Sequence, residues 1–346
     1  MTTDRRHPEL LDLDALMAYL RHTSAGEELG EVRSVRQFRG GYSNLTYLLD
    51  GERGRAVLRR PPPGPRRGTA HDVLREYGIL EGLAAVAGTA SPAPRPLLAC
   101  ADEAVLGAPF YLMAYVEGPI LRADVAADLS PAQRSRAARQ LVGTLARLHA
   151  TPLTGRLGEF GRPEGYVGRQ VEGWARRFAE ARTDDVSDGA ALVEYLRAEQ
   201  PADAPGSLLH GDFKFDNLVF VPDGEFDTVA AVLDWEMATV GHPLMDLGLT
   251  LAYWAHPEEA ARIPLLGVNG THLPGYPRRE DVAEWYAAAS GRELPDLTWY
   301  FAFGNFKLAG ILQQLYARYR RGQTGDERFA PLGRVVDWLL ARGLRR

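Results

Sequence analysis

One segment of about thirty residues constrains this chain more than its overall composition does. Leu208-Leu209 leads into His210-Gly211-Asp212-Phe213-Lys214-Phe215-Asp216-Asn217, and a second apolar run reaches Val221. A stretch with this many ionisable side chains cannot lie unpartnered inside a sheet. It must form the loop of a compact β segment. Pro222-Asp223-Gly224 supplies a turn, a strand is expected over Thr228–Leu233, and Asp234-Trp235-Glu236 closes it. The hairpin therefore returns Asp234 towards Asp212 and Asn217.

These residue types form a coherent set. Phosphoryl transfer asks a protein for positioning and charge neutralisation more than for covalent chemistry. Mg²⁺ prefers oxygen ligands and takes one or two from protein side chains, with phosphate and water completing the shell. Asn217 and Asp234 offer such oxygens, which leaves Asp212 to accept, or at least to aim, a hydroxyl proton. Taken singly, Asp212 is equally a turn residue, Asn217 a hairpin cap and Asp234 a helix cap. Their joint spacing favours the metal-phosphate reading.

HGDFKFDN followed by VLDWE resembles the catalytic loop and metal motif of the aminoglycoside phosphotransferase/choline kinase superfamily. A narrower likeness, to the phosphotransferases fused to acyl-CoA dehydrogenase domains in animals, rests on Gly40-Gly41-Tyr42-Ser43-Asn44, Val57-Leu58-Arg59-Arg60-Pro61, Arg75-Glu76-Tyr77, Pro109–Met113, Gly241–Leu247 and Tyr316–Gly322. It runs from about residue 30 to about 325. The resemblance implies an α+β, protein-kinase-like two-lobed fold. Its small lobe would hold an antiparallel sheet of about five strands and one helix, and its larger lobe would be mainly helical. It further implies Asp212 as the catalytic aspartate, with Asn217 and Asp234 on Mg²⁺ and Asp246 bracing the loop. Gly41, Ser43 and Asn44 would lie over the ATP phosphates, Glu76 would pair with the third-strand cation, and Met113, Tyr115 and Val116 would meet adenine. Three departures stand out. Arg59 replaces the usual third-strand lysine, with Arg60 as a substitute. Lys214 stands where antibiotic kinases commonly have histidine, and it is expected to reach the γ-phosphate. Glu236 follows the metal aspartate where protein kinases have glycine, as a second metal ligand or a support for the loop.

Elsewhere the chain reads as strands followed by helices. Apolar spacing predicts a helix over Asp12–Arg21 and strands over Val32–Phe38, Leu45–Leu49 and Ala56–Leu58. A helix over His71–Val86 precedes a strand pair, Leu97–Cys100 and Phe110–Val116, around a loop at Asp102–Ala108. Glu117-Gly118-Pro119 reads as a hinge, so lobes of 1–116 and 117–346 are expected. Ser130-Pro131 opens a helix to Ala150, and further helices are expected over Val171–Ala181 and Gly189–Glu199. His149 is expected at the end of its helix as a dipole partner. His210 and His242 read as structural.

With 346 residues and a formal net charge of −5, the chain offers no bulk attraction to nucleic acid or an anionic membrane. The lone Cys100 excludes an internal disulfide and a Cys-rich zinc site. No apolar run approaches a membrane span, and the N-terminal charges argue against an export signal, so a cytoplasmic setting is expected. The reading is an ATP- and Mg²⁺-dependent kinase of a small-molecule hydroxyl, such as that of a hydroxyacyl-CoA-like acceptor. Its alternatives are an antibiotic kinase and a nucleotide-binding pseudokinase. The sequence does not specify an oligomeric state.

Overall fold

The computed structural model describes residues 11–38, 44–62, 72–88, 91–262 and 270–345. The chain divides into two units, residues 1–117 with 235–237, and residues 118–234 with 238–346.

Alternation along the strands builds the first unit. β1 (Val32–Gln37), β2 (Leu45–Gly51), β3 (Arg55–Arg60), β4 (Pro96–Cys100) and β5 (Phe110–Ala114) form a five-stranded sheet in the order β1-β2-β3-β5-β4. Every neighbouring pair is antiparallel. Tyr47 and Leu49, Ala56 and Leu58, and Phe110 and Leu112 point to one face, two residues apart on each strand. There they pack with Leu16 and Leu20 of α1 (Leu13–Leu20) and Ala25 and Leu29 of α2 (Ser24–Leu29). Tyr111 points the other way, and its ring lies 5.8 Å from that of Tyr77 on α3 (Val73–Ala87).

Two short helices depart from the expected pattern. α2 runs from a Thr23 cap to Gly30 at φ 69°. α4 (Glu103–Leu106) occupies the expected 102–108 loop, with Asp102 capping it and Gly107 ending it in the left-handed region. Neither is long enough to show a helical period, so only their caps could have announced them.

The second unit is mainly helical. α5 (Ala123–Asp128) precedes α6 (Pro131–His149). Ser130 and Gln133 form a reciprocal capping box at the start of α6, with Pro131 in its first turn. α7 (Tyr166–Glu180) starts ahead of the expected Val171, because the Asp203 carboxylate accepts from the amides of Gly165 and Val167, at 2.5 and 3.5 Å. A cap supplied from so far along the chain leaves no local signature. α8 (Ala190–Ala198) follows, then β6 (Ser207–Leu209), β7 (Leu218–Phe220), β8 (Val229–Val232) and β9 (Thr239–Gly241). β7 pairs with β8 as expected, and β6 pairs with β9, a strand the sequence did not announce. The two ladders bracket the segments around Asp212 and Asp234. Gly118 is packed so tightly on β7 that a Cβ would lie 1.9 Å from the Phe220 carbonyl oxygen, at a φ of 155°. No other residue fits the expected hinge there.

The chain ends in α9 (Pro243–Tyr253), α10 (Arg279–Ser290), α11 (Thr298–Arg320) and α12 (Leu332–Gly343). α9 is buried along its whole length. No helix among the described residues is long and apolar enough to cross a membrane.

A buried ionic cluster ties α12 to this core. Glu259 accepts from Arg342 (2.9 and 3.0 Å) and from Arg279 (2.7 Å), and Arg342 also donates to the Ala252 and Trp254 carbonyls. Burial alone would raise the Glu259 pKa, but the two guanidinium groups hold it down at about 2. A carboxylate depressed in the folded state stabilises fully above its unfolded pKa and loses that contribution as pH falls through its folded value. Glu259→Gln is therefore expected to lose about 3 kcal/mol at pH 7, since it strands a buried guanidinium. The variant should also show a shallower loss of stability than wild type between pH 5 and 2. Urea midpoints across that range check both, and parallel curves would contradict the assignment.

Candidate active site

Residues 210–217 connect β6 to β7 and are held from several elements. Asp246, in the first turn of α9, is 2% exposed. Its Oδ2 accepts from the His210 amide at 2.7 Å and its Oδ1 from the Gly211 amide at 2.9 Å. Gly211 sits at φ 80°, where a side chain would be strained. Its carbonyl accepts from Lys307 Nζ at 2.6 Å. The Phe213 carbonyl accepts from Thr250 Oγ1 at 2.9 Å.

Histidines complete the brace. His210 Nε2 must donate to the Leu233 carbonyl at 2.8 Å, which leaves Nδ1 to accept from the Asp212 amide at 3.3 Å. The neutral Nε2–H tautomer therefore satisfies both bonds, and His210 is structural. His149 stands in the last turn of α6, as expected, and is buried there, with Nε2 3.3 Å from Asp246 Oδ2 and Nδ1 2.7 Å from the Tyr286 hydroxyl, contacts the sequence did not announce. Burial alone would raise the Asp246 pKa, yet His149, with help from the His210 amide, holds it below the usual carboxylate range.

Asp212 is the best-dressed carboxylate of the loop. Oδ2 accepts from Lys214 Nζ at 2.6 Å and from Asn217 Nδ2 at 3.3 Å, and Oδ1 accepts from the Tyr253 hydroxyl at 2.5 Å. Lys214 Nζ also lies 3.4 Å from the Tyr253 oxygen and 4.7 Å above its ring. Burial works against the Lys214 ammonium, but the oxygens of Tyr253 and Asp212 overturn that, and its pKa is raised. Lys214 thus rests on Asp212.

Asn217 is oriented by its partners. Nδ2 donates to the Asp212 carbonyl at 2.8 Å as well as to Oδ2. Both partners are acceptors, so the amide cannot be flipped, and Oδ1 is the atom left to ligate. The Asn217 carbonyl accepts from the Leu233 amide at 2.8 Å, which places Asp234 one residue beyond the cross-strand neighbour of Asn217. Asp234 has a φ of 66°, uncommon for a residue with a side chain. An amide oxygen and a carboxylate brought to the same end of one hairpin are donor types that fit Mg²⁺. Among the described residues no three His, Cys, Asp or Glu side chains come together, so phosphate and water oxygens would complete the shell.

The first unit holds its own polar cluster. Arg59 Nη1 donates to Glu76 Oε1 at 2.7 Å, with the two side chains 8% and 1% exposed. Glu76 Oε1 also accepts from the Trp235 amide at 3.2 Å. Glu236 Oε2 lies 3.7 Å from Arg59 Nη2 and accepts from Asn44 Nδ2 at 3.3 Å. Arg60 cannot replace Arg59, contrary to the sequence expectation. Strand alternation turns it to the opposite face, where it donates to the Leu106 carbonyl at 2.9 Å. Met113 lies within β5, opposite Val57. The Tyr115 amide donates to the Arg55 carbonyl at 3.3 Å, whereas the Val116 amide meets no partner among the described residues. Gly41 and Ser43 lie outside the described residues.

Thr250, Tyr253 and Lys307 were not singled out from the sequence. Asp246, Thr250 and Tyr253 recur at i, i+4 and i+7, so they share one face of α9, and all three bond to the loop. Lys307 was visible as a lone cation in the apolar run Phe301–Leu312.

A model of the phosphotransferase enzyme family (APH) matches residues 34–282. Acyl-CoA dehydrogenase family member 11 of Homo sapiens is 35% identical over 341 residues, covering 96% of this chain and 43% of that protein. This chain thus spans less than half the length of that relative. A solved structure of a candidate aminoglycoside phosphotransferase from Ralstonia eutropha JMP134 superposes with a TM-score of 0.77 at 29% identity, covering 96% of this chain and 97% of the other. Aminoglycoside phosphotransferase APH(4)-Ia, in its ternary complex with AMP-PNP and hygromycin B, superposes with a TM-score of 0.60 at 17% identity, over 96% and 99% of the two chains, a likeness of fold. The antiparallel five-stranded sheet and the helical unit are thus those of the kinase-like α+β fold, and the chain belongs to the phosphotransferase enzyme family.

Proposed function

We propose that this protein transfers the γ-phosphoryl group of ATP, with Mg²⁺, to the hydroxyl of a small molecule. The observation that carries this reading is the Asp212 carboxylate, held by Lys214, Asn217 and Tyr253 on a loop fixed by Asp246. Asp212 takes the hydroxyl proton as the acceptor oxygen bonds to phosphorus and ADP leaves. Lys214 moves from Asp212 towards the transferring phosphoryl group. Asn217 Oδ1 and the Asp234 carboxylate would hold the metal, which when bound would neutralise charge on the phosphate oxygens. Asn44 would serve the phosphates, the role expected from the sequence also for Gly41 and Ser43. Arg59, fixed by Glu76, meets the α/β-phosphates as a planar fork in place of the usual lysine. Met113, Tyr115 and Val116 line the adenine site, with the Val116 amide as its donor.

For the acceptor we propose a hydroxyacyl-CoA-like molecule. The support is the similarity across 96% of this chain to a protein named for acyl-CoA. The test is ADP release from Mg²⁺-ATP with a 4-hydroxyacyl-CoA, beside an aminoglycoside and a no-acceptor control. Stimulation by the acyl-CoA alone is expected. Stimulation by the aminoglycoside alone would replace the acceptor class. No ADP release with any acceptor, or release unchanged by chelating the metal, would overturn the kinase reading in favour of a nucleotide-binding module.

A further inference from the structure

Among the described residues Asp212 Oδ1 has one hydrogen-bond partner, and that partner is the phenolic O–H of Tyr253. The Tyr253 hydroxyl donates to it at 2.5 Å, while Oδ2 is held by Lys214 and Asn217. A hydroxyl aimed at the base is the very group an acceptor has to bring. We propose that Tyr253 is a built-in plug for the acceptor position: its hydroxyl occupies Asp212 Oδ1 until an acceptor hydroxyl displaces it, so water is not activated there and ATP is not hydrolysed idly. This rests on the phosphotransferase reading above and concerns the same site.

Three further observations favour a plug over a simple prop. First, the carboxylate is already oriented without Tyr253, because Lys214 and Asn217 fix Oδ2 and the Asn217 amide also holds the Asp212 carbonyl. Second, the helix carrying Tyr253 is locked to the loop by Asp246 and Thr250, so the hydroxyl returns to one place whenever it is released. Release then needs a side-chain rotation and no movement of the helix. Third, the hydroxyl keeps its proton. Burial, and then the Asp212 charge, push the Tyr253 pKa well above the ordinary tyrosine value, so at working pH it stays a donor. Water is a small, abundant nucleophile, and a kinase that leaves its base open in the absence of acceptor hydrolyses nucleotide. An acceptor bound through the rest of its structure has the means to outcompete one tyrosine hydroxyl; a water molecule does not.

Tyr253→Phe keeps the ring and its packing and removes only the hydroxyl. ADP release from Mg²⁺-ATP is measured for the full chain without any acceptor, under single-turnover conditions. A rise of roughly 10- to 100-fold over wild type is expected, the scale of one competing hydrogen bond to an ionised group. The rise should vanish in the Tyr253→Phe, Asp212→Asn double variant. With acceptor present, the single variant should waste a larger share of ATP on water. Acceptor-free release at or below the wild-type rate, with a thermal midpoint like that of wild type, overturns the plug. So does phosphate on Tyr253 in wild type by intact mass, which would make the residue an acceptor. Loss of acceptor-dependent turnover in Asp212→Asn without a rise in Tyr253→Phe removes the plug alone. Turnover indifferent to Asp212 removes the phosphotransferase reading as well.

Discussion

Asp212→Asn is expected to lower acceptor-dependent turnover by roughly 10²- to 10⁴-fold, the range supplied by one positioned general base. Asparagine preserves the volume and can still accept from the Tyr253 hydroxyl. It has no negative charge for the Lys214 ammonium, which rests 2.6 Å from Oδ2. Lys214 is 18% exposed and Asp212 17%, so the lost ionic hydrogen bond should also lower stability, by about 1.5–3 kcal/mol. The two effects separate experimentally. A thermal melt reports the second, and ADP release well below the variant's melting range reports the first. The KM for ATP should change far less than the maximal rate, because Asp212 meets the acceptor and not the nucleotide. Near-normal turnover in a folded Asp212→Asn protein would end the proposed role of this residue, and with it the mechanism.

The catalytic loop was legible because its chemistry is local. His210 to Asn217 are contiguous, the turn at Pro222-Asp223-Gly224 is explicit, and one hairpin is enough to bring Asp234 back to Asn217. The sheet was legible for a similar reason: alternation assigns each strand a face. The same rule, applied strictly, separates Arg59 from Arg60. Arg59 follows Val57 and reaches Glu76 on α3, while Arg60 follows Leu58 and turns away. What the sequence concealed is everything that holds the loop from outside. Thr250 and Tyr253 sit in a helix whose every residue is buried, so no polar stripe stands out against a solvent face. Lys307 and His149 come from helices remote in sequence and meet the loop or its brace only once the chain has folded. Thr250 and Lys307 bond to backbone carbonyls, which exist at every position and mark none. The caps of α7 and α4 divide along the same line: Asp102 is adjacent to its helix and readable, while Asp203 is distant and was not.

Asp246 should be the residue whose loss the second unit tolerates least. Its carboxylate accepts from two consecutive amides, at 2.7 and 2.9 Å, and from His149. Asp246→Ala leaves these donors facing a cavity. At about 1–3 kcal/mol for each buried unsatisfied group, the expected loss is about 3–6 kcal/mol, a large fraction of the stability of an ordinary domain. Asp246→Asn is not conservative here. One amide oxygen can serve one of the two backbone donors, but the new NH₂ faces the other donor, so about half of the loss should remain. Since the folded-state pKa of Asp246 is lowered, its contribution is complete above the unfolded value of about 3.9 and disappears as pH falls through the lower folded value. The gap between wild type and Asp246→Asn in urea midpoint should therefore be constant from pH 8 to 5 and close below about pH 4. Activity should fall too, and for a different reason than in Asp212→Asn. With the Gly211 amide released, the Gly211–Asp212 peptide keeps only Lys307 on its carbonyl and His210 on its amide, and Asp212 loses part of its aim. A variant that unfolds at the wild-type urea concentration would show that water replaces the carboxylate at both amides, and that the loop is held chiefly by Lys307, Thr250 and Tyr253.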